Sequence, residues 1–247
     1  MADSFYVTLP SNSSMNSHPN NTLSHYYVTL PSPLSFEGDW EVAIAEISYP
    51  HRRLNVVEGE NSVVCAVGEN SSHLHRHRIP EGYYPTPEDL FKSFEPPIDH
   101  DGRIRFSYNK YIQKVILKTE GAVVRLMGGL ATMLGFEKEN FITTTQKAPR
   151  VADLQPFHSL FIYSNIVEYN TVGDTRAPLL RIVTVDGKYG KTITKTYDNP
   201  HYVNLKHKLV DTIEIDIRDD TGRLIPFVAG KVIVKVHFRR KRSSYFG

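Results

Sequence analysis

Three histidines at strand spacing are the first candidates for chemistry. His73, His75 and His77 alternate with Leu74 and Arg76, and Glu81 follows. On an extended chain their side chains share one face, with alternate Cα atoms about 6.6–7 Å apart. Neutral imidazoles so placed could ligate zinc, iron or nickel. The interleaved Arg76 and Arg78 suit instead the solvated face of an outer strand, and no metal or other cofactor is assigned. The second candidate is a cluster of charge: Arg239, Arg240, Lys241 and Arg242. Such a run can bind nucleic-acid phosphates, serve as a nuclear address, or cap a last strand with solvated charge. Removing these four from the 29 basic residues leaves 25 against 27 acidic ones, so the positive charge is local and terminal. A chain that bound nucleic acid over its whole surface would not divide its charge this way.

Other reactive groups point away from catalysis. Cys65, the single cysteine, sits within an apolar alternation and reads as core rather than thiolate. It permits no intrachain disulfide and fits synthesis in a reducing compartment. No Gly-x-Ser-x-Gly or phosphate-binding loop occurs. Asp219 and Asp220, with Asp216 nearby, lack the ligand pattern of calcium loops and read as a turn in which aspartate caps its own backbone. No catalytic residue is assigned. Gly68, His75, His77 and Glu81 approach the first motif of the cupins, which are metal-binding jelly rolls. The gap from Gly68 is one residue too long, Glu88 stands where a glycine is expected, and no second motif surrounds His201, His207 or His237. A cupin-like or lectin-like binding protein is therefore the alternative reading.

The strands at the C-terminal end are the clearest elements. Ile213, Ile215 and Ile217 alternate with Thr212, Glu214 and Asp216; Val232, Val234, Val236 and Phe238 alternate with Lys231, Lys235, His237 and Arg239. Period-two alternation rich in β-branched residues marks strands that bury one face. Twelve residues, 219–230, join them, too many for a tight hairpin. The chain is expected to cross there from one sheet to another. Upstream, Tyr6-Val7-Thr8-Leu9-Pro10-Ser11 recurs as Tyr27-Val28-Thr29-Leu30-Pro31-Ser32, two short strands stopped by proline, near sheet edges. Residues 12–24, rich in Ser and Asn, read as a loop or mobile arm. Trp40 opens a strand over 39–49 and belongs in the core.

Further strands are expected over 62–67 and 73–79, a hairpin around 68–72. Others follow over 103–108, 111–118, 158–166, 179–185 and 191–197, the last two flanking an Asp186-Gly187 turn signal. Thr86, Pro87, Glu88 and Asp89 open a short helix stopped by Pro96 and Pro97. Residues 126–134 read as a second helix, with Gly135 as its cap. Residues 137–156 read as irregular.

At 247 residues, with 40% hydrophobic residues, 12 Phe and 14 Tyr, the chain can build a large core. No run of about 18 apolar residues suggests a membrane span, and Met1-Ala2-Asp3-Ser4-Phe5 has no secretory pattern. Ten to twelve short strands without βαβ alternation predict an all-β fold. The best fit is a single jelly-roll sandwich of two antiparallel sheets, with extra edge strands and two short helices in connections. The expected organisation is an N-terminal arm with one short strand over 1–25, a jelly-roll domain over 26–239 and a basic tail over 240–247.

An ordered set of short stretches carries a family resemblance. It begins with residues 5–12, Asn20-Asn21-Thr22, residues 27–31, Gly38-Asp39-Trp40-Glu41-Val42 and Glu46-Ile47-Ser48-Tyr49-Pro50. It continues through Leu134-Gly135-Phe136, Val172-Gly173-Asp174, residues 178–183 and 213–222. It ends with Pro226-Phe227, residues 230–234 and His237-Phe238-Arg239-Arg240. Together these resemble the minor capsid (penton) proteins of Polinton or Maverick elements and adintoviruses, over nearly the full length. The resemblance implies a jelly roll that sits as a homopentamer at the fivefold vertices of an icosahedral virion enclosing double-stranded DNA. Trimers of a double jelly-roll major capsid protein would surround it, and no catalytic residues would be present. It leaves Arg239, Arg240, Lys241 and Arg242 as residues that could meet packaged DNA or the capsid interior.

Overall fold

The computed structural model describes residues 3–59, 61–67, 74–96, 98, 102–138, 140–155 and 158–241. In chain order the strands begin β1 (Ser4–Pro10), β2 (His25–Ser35), β3 (Trp40–Pro50), β4 (Ser62–Val67) and β5 (His75–Arg78). Helix α1 (Pro87–Lys92) precedes β6 (Ile104–Asn109), β7 (Lys114–Thr119) and β8 (Ala122–Leu126), and α2 (Gly129–Met133) precedes β9 (Phe141–Ile142) and β10 (Gln146–Lys147). Then come β11 (Ser159–Tyr163), β12 (Asn170–Val172), β13 (Thr175–Ala177), β14 (Leu179–Thr184) and β15 (Thr192–Thr196). The last are β16 (Val203–Asn204), β17 (Leu209–Arg218) and β18 (Ile233–Arg240). With 49% of residues in strands and 5% in helices, the fold is all-β.

The chain divides into two compact units, Met1–Arg53 with Phe157–Gly247, and Leu54–Pro156. The domain expected over 26–239 spans parts of both. In the first unit one sheet runs β1-β18-β3-β15, with β16 also on β3, and the other runs β14-β11-β17-β2. Every pairing is antiparallel. Numbered as the eight main strands of this unit alone, the orders are 1-8-3-6 and 5-4-7-2. That is the wiring of a jelly roll, in which successive strands change sheet except the fourth and fifth, and the first and last strands lie side by side. Chain 54–156 is inserted between its third and fourth strands.

Inner faces of both sheets meet in one core. Val42, Ile44, Ile47, Val234, Val236 and Phe238 of one sheet share it with Tyr26, Leu160, Ile162, Ile213, Ile215 and Ile217 of the other. Each fully buried Ile or Val contributes about 1.5–3 kcal/mol, which is why the alternating pattern fixes which face turns inward. Trp40 is in this core, wedged against Phe5 and Phe36. β17 and β18 lie in different sheets, as their long link predicted. The link opens on a turn in which the Asp219 carboxylate accepts hydrogen bonds from the amides of Thr221 and Arg223, both at 2.9 Å.

Both copies of the repeated hexapeptide lie in sheet-edge strands, β1 and β2. They end differently. β1 stops at Pro10, whereas β2 runs on to Ser35 through a register shift opposite Val210 and Thr212. An edge strand accommodates proline because its unpaired side needs no donor. Residues 12–24 carry hydrogen bonds rather than running free: the Asn21 side chain donates to Ser13 and Tyr27 carbonyls and accepts from the Tyr27 amide.

The second unit forms its own core from two small sheets, β5-β4-β8-β9 and β10-β7-β6, with both helices. Thr86 caps α1 as its sequence predicts, its hydroxyl accepting from Asp89 N at 3.2 Å. The second helix is shorter than expected. Leu126 closes a strand, and Gly128, at φ +54°, turns the chain before α2 begins at Gly129. Its end matches the expectation: Gly135 sits at φ +81°, with Phe136 N donating to Ala131 O and Gly135 N to Thr132 O. Asp186-Gly187 joins no hairpin, since β14 and β15 lie in different sheets; the hairpin nearby is β12 with β13, around Gly173. The described residues form 18 strands against the ten to twelve expected, and five of them are only two or three residues long.

Candidate functional site

The basic cluster begins inside the fold. Arg239 and Arg240 are the last two residues of β18, paired with Glu41 and Trp40 of β3. The Arg239 guanidinium meets the Glu41 carboxylate at 2.6 Å and lies 3.4 Å above the Tyr202 ring. Arg240 reaches the Glu37 carbonyl at 3.3 Å, and its amide donates to Asp3 O. These two side chains therefore fasten the end of the strand. Lys241 is exposed, its amide bonded to Asp39 O. Its side chain borders a hollow of about 360 Å³ with Lys206, His207 and Lys208. Arg242, like Pro97, lies outside the described residues. Sequence reading missed Lys206 and Lys208, because only the fold brings them beside Lys241.

The histidine set does not form a uniform outer face. His75 is exposed at the start of β5, while His77 is 1% exposed, with Nδ1 2.7 Å from the Pro96 carbonyl. His73 and the loop 68–72 fall outside the described residues. Among the described residues, no group of three or more His, Cys, Asp or Glu side chains is arranged to hold a metal. Cys65 is buried, and burial pushes its thiol up to about 11, so it is held protonated. Burial alone would raise the Asp219 carboxyl, but hydrogen bonds from Thr221 and Arg223, with the Arg223 charge, outweigh it and leave the group below its ordinary value.

A second hollow, also about 360 Å³, lies on the outer face of the β1-β18-β3-β15 sheet. Its cause is local. Lys235 pairs with Glu46 and Val236 with Ile44, so Ala45 is an extra residue in β3, a bulge. The small Ala45 side chain leaves space that larger neighbours surround. Tyr6 on β1 is 58% exposed and stacks on His237 of β18, ring centres 4.4 Å apart. The Tyr202 hydroxyl lies 2.6 Å from His237 Nδ1, and the Arg239 guanidinium lies 3.4 Å above the Tyr202 ring. Tyr197 is held from behind by the Arg181 guanidinium, 3.4 Å above its ring. Burial, and then the Arg239 charge, lower the His237 pKa below its ordinary value. The Tyr202 hydroxyl and His237 Nδ1 share one hydrogen bond, which fixes the ring's orientation.

No family model and no curated protein matches the chain. Solved structures do match, two of them as follows. The mavirus penton protein superimposes with a TM-score of 0.51 at 13% identity, covering 96% of this chain and 99% of that one. A chain of the Sputnik virophage, solved by cryo-EM, gives a TM-score of 0.45 at 11% identity over 97% and 98%. The first likeness agrees with the single jelly roll read from strand order. The bulge hollow was not legible in the sequence, because its residues come from β1, β3, β18 and the 197–202 segment. The one local signal was the small Ala45 among larger strand neighbours.

Proposed function

We propose that the chain is a structural capsid protein, the penton of an icosahedral virion, and no enzyme. The observation that carries this reading is the antiparallel 1-8-3-6 and 5-4-7-2 roll, in a chain similar over 96% of its length to a protein whose name is that of a penton. The ordered Polinton-like and adintovirus-like stretches support the same reading. In it, the chain forms a homopentamer at the fivefold vertex and meets trimers of a double jelly-roll major capsid protein. Sheet edges β1, β15, β2 and β14 and the loops supply the contacts. The basic terminus meets packaged double-stranded DNA or the capsid interior through Lys241 and Arg242, joined by Lys206 and Lys208. Arg239 and Arg240, being engaged with Glu41 and Glu37, contribute less. Five copies gather these charges around one axis, which turns a weak contact into a multivalent one.

Co-expression with the double jelly-roll major capsid protein, followed by electron microscopy of the particles, tests the proposal. Fivefold vertices filled by this chain are expected; a protein that stays monomeric and never enters particles overturns it. Replacing Lys206, Lys208, Lys241 and Arg242 by serine is expected to spare vertex occupancy and to reduce DNA retained at raised salt. The cupin-like alternative loses its main support in the placement of His77, which is buried against Pro96 rather than open to a ligand.

A further inference from the structure

The hollow over Ala45 has the composition of a small-ligand site. Such sites hold about 300–1,000 Å³ and combine aromatic walls with a few fixed polar groups. Here the walls are Tyr6, Tyr197 and Tyr202, and the polar rim is Glu46, Asp198, Lys235 and His237. The aromatic walls are held before any ligand arrives. Tyr202 is held by His237 at its hydroxyl and by Arg239 over its ring, Tyr197 meets Arg181, and Tyr6 stacks on His237. Fixed walls reduce the ordering cost of binding, and tyrosine offers large contact area with few torsions to freeze.

The rim selects among ligand classes. Two carboxylates, Glu46 and Asp198, share the rim with the Lys235 ammonium, which lies 5.3 Å from the Tyr6 ring centre, while the Arg239 and Arg181 guanidiniums back the Tyr202 and Tyr197 rings. Phosphate, sulfate and nucleic-acid backbones would meet the Glu46 and Asp198 carboxylates at the rim. A purely apolar ligand would leave the carboxylates and Lys235 desolvated without partners. A neutral pyranose satisfies both halves: its C–H face lies on the exposed Tyr6 ring, and its hydroxyls donate to the carboxylates and accept from Lys235. We propose that this hollow binds a terminal residue of a neutral glycan. The inference stands on the hollow alone and does not depend on the capsid reading.

The test is titration of the full chain with lactose, maltose and N,N′-diacetylchitobiose, read by saturation-transfer NMR and by chemical-shift changes of the Tyr6 and His237 amides. Binding of at least one sugar with a millimolar dissociation constant is expected, with saturation transfer strongest on the C–H face that stacks. Tyr6→Leu, which keeps an apolar side chain on an edge strand, is expected to weaken binding about tenfold, equivalent to about 1.4 kcal/mol. Ala45→Leu fills the floor and is expected to abolish it. Trp40 fluorescence in urea reports whether each variant keeps its fold, and a variant that does not is replaced by Asp198→Asn, expected to weaken binding. No binding of any of the three sugars overturns the proposal, as does binding that Tyr6→Leu and Ala45→Leu, both folded, leave unchanged. Stronger binding of a short oligothymidylate than of the sugars also overturns it, in favour of a nucleic-acid platform.

Discussion

The repeated hexapeptide allows one substitution to be made twice in the same local sequence. Ser11 ends the first copy and Ser32 the second. Ser11 is 3% exposed; its hydroxyl accepts from Val232 N at 3.0 Å while its own amide donates to Val232 O at 2.8 Å. Val232 is fully buried, so Ser11→Ala strands its amide proton without water to replace the oxygen. Losing the bond and leaving that donor unpaired costs about 1–3 kcal/mol. Ser32 is exposed in the bulged part of β2, where Ser32→Ala should change stability by less than about 0.5 kcal/mol. Trp40, the single tryptophan, lies in the core of the jelly-roll unit and reports its unfolding by fluorescence in urea. With a slope of roughly 2 kcal/mol per molar urea, Ser11→Ala should lower the midpoint by about 0.5–1.5 M and Ser32→Ala should leave it in place. Equal midpoints for the two variants would refute the claim that burial of the accepting hydroxyl, and not the hexapeptide itself, sets the cost.

Three further outcomes follow from the same structure. Cys65, buried and with its thiol near 11, should react with a thiol reagent at pH 8 at least about 100-fold more slowly in the native protein than in denaturant. Asp219→Ala should destabilise by about 1–3 kcal/mol, and Asp219→Asn by less because it keeps an acceptor oxygen. Because the native Asp219 pKa is depressed, its contribution is present above the unfolded value near 3.8 and fades as pH falls through that value and below; urea titrations from pH 5 to pH 3 should show a flatter profile for Asp219→Asn. His51, lowered chiefly by burial and then by the Arg53 charge, and His237 both bind protons more readily unfolded than folded. Stability should therefore fall as pH drops below about 6.5, and a urea midpoint that rises between pH 7 and pH 5.5 would contradict this.

How much of this was legible in the sequence depended on the range of the cause. Local causes were readable. Alternation in 210–218 and 232–238 fixed the buried faces, Thr86 and Pro87 announced a helix, and a twelve-residue link implied a sheet crossing. The Leu126–Leu134 stretch was misread because its apolar spacing suits both a strand end and a helix, and only Gly128 at positive φ separates them. Asp186-Gly187 looked like a hairpin turn because a two-residue signal cannot say whether its flanking strands share a sheet. The two units were hidden because 54–156 carries the same strand and turn composition as its surroundings, with no linker to mark it. The bulge hollow and the Lys206, Lys208 and Lys241 cluster depend on pairings across most of the chain, which periodicity does not encode.

The side-by-side placement of β1 and β18 sets an order of events during synthesis. Seven residues near the start of the chain pair with residues Ile233 to Arg239 near its end, and Arg240 N closes onto Asp3 O. The β1-β18-β3 ladder cannot form until Ile233–Arg240 has left the ribosome, whereas 54–156 is continuous and complete well before that. A nascent or truncated chain would carry β3 without its central neighbour and β1 with no neighbour at all. Synthesis of β18 is thus the event that completes the sheet, and a chain that stops short of it leaves the β1 and β3 edges unpaired.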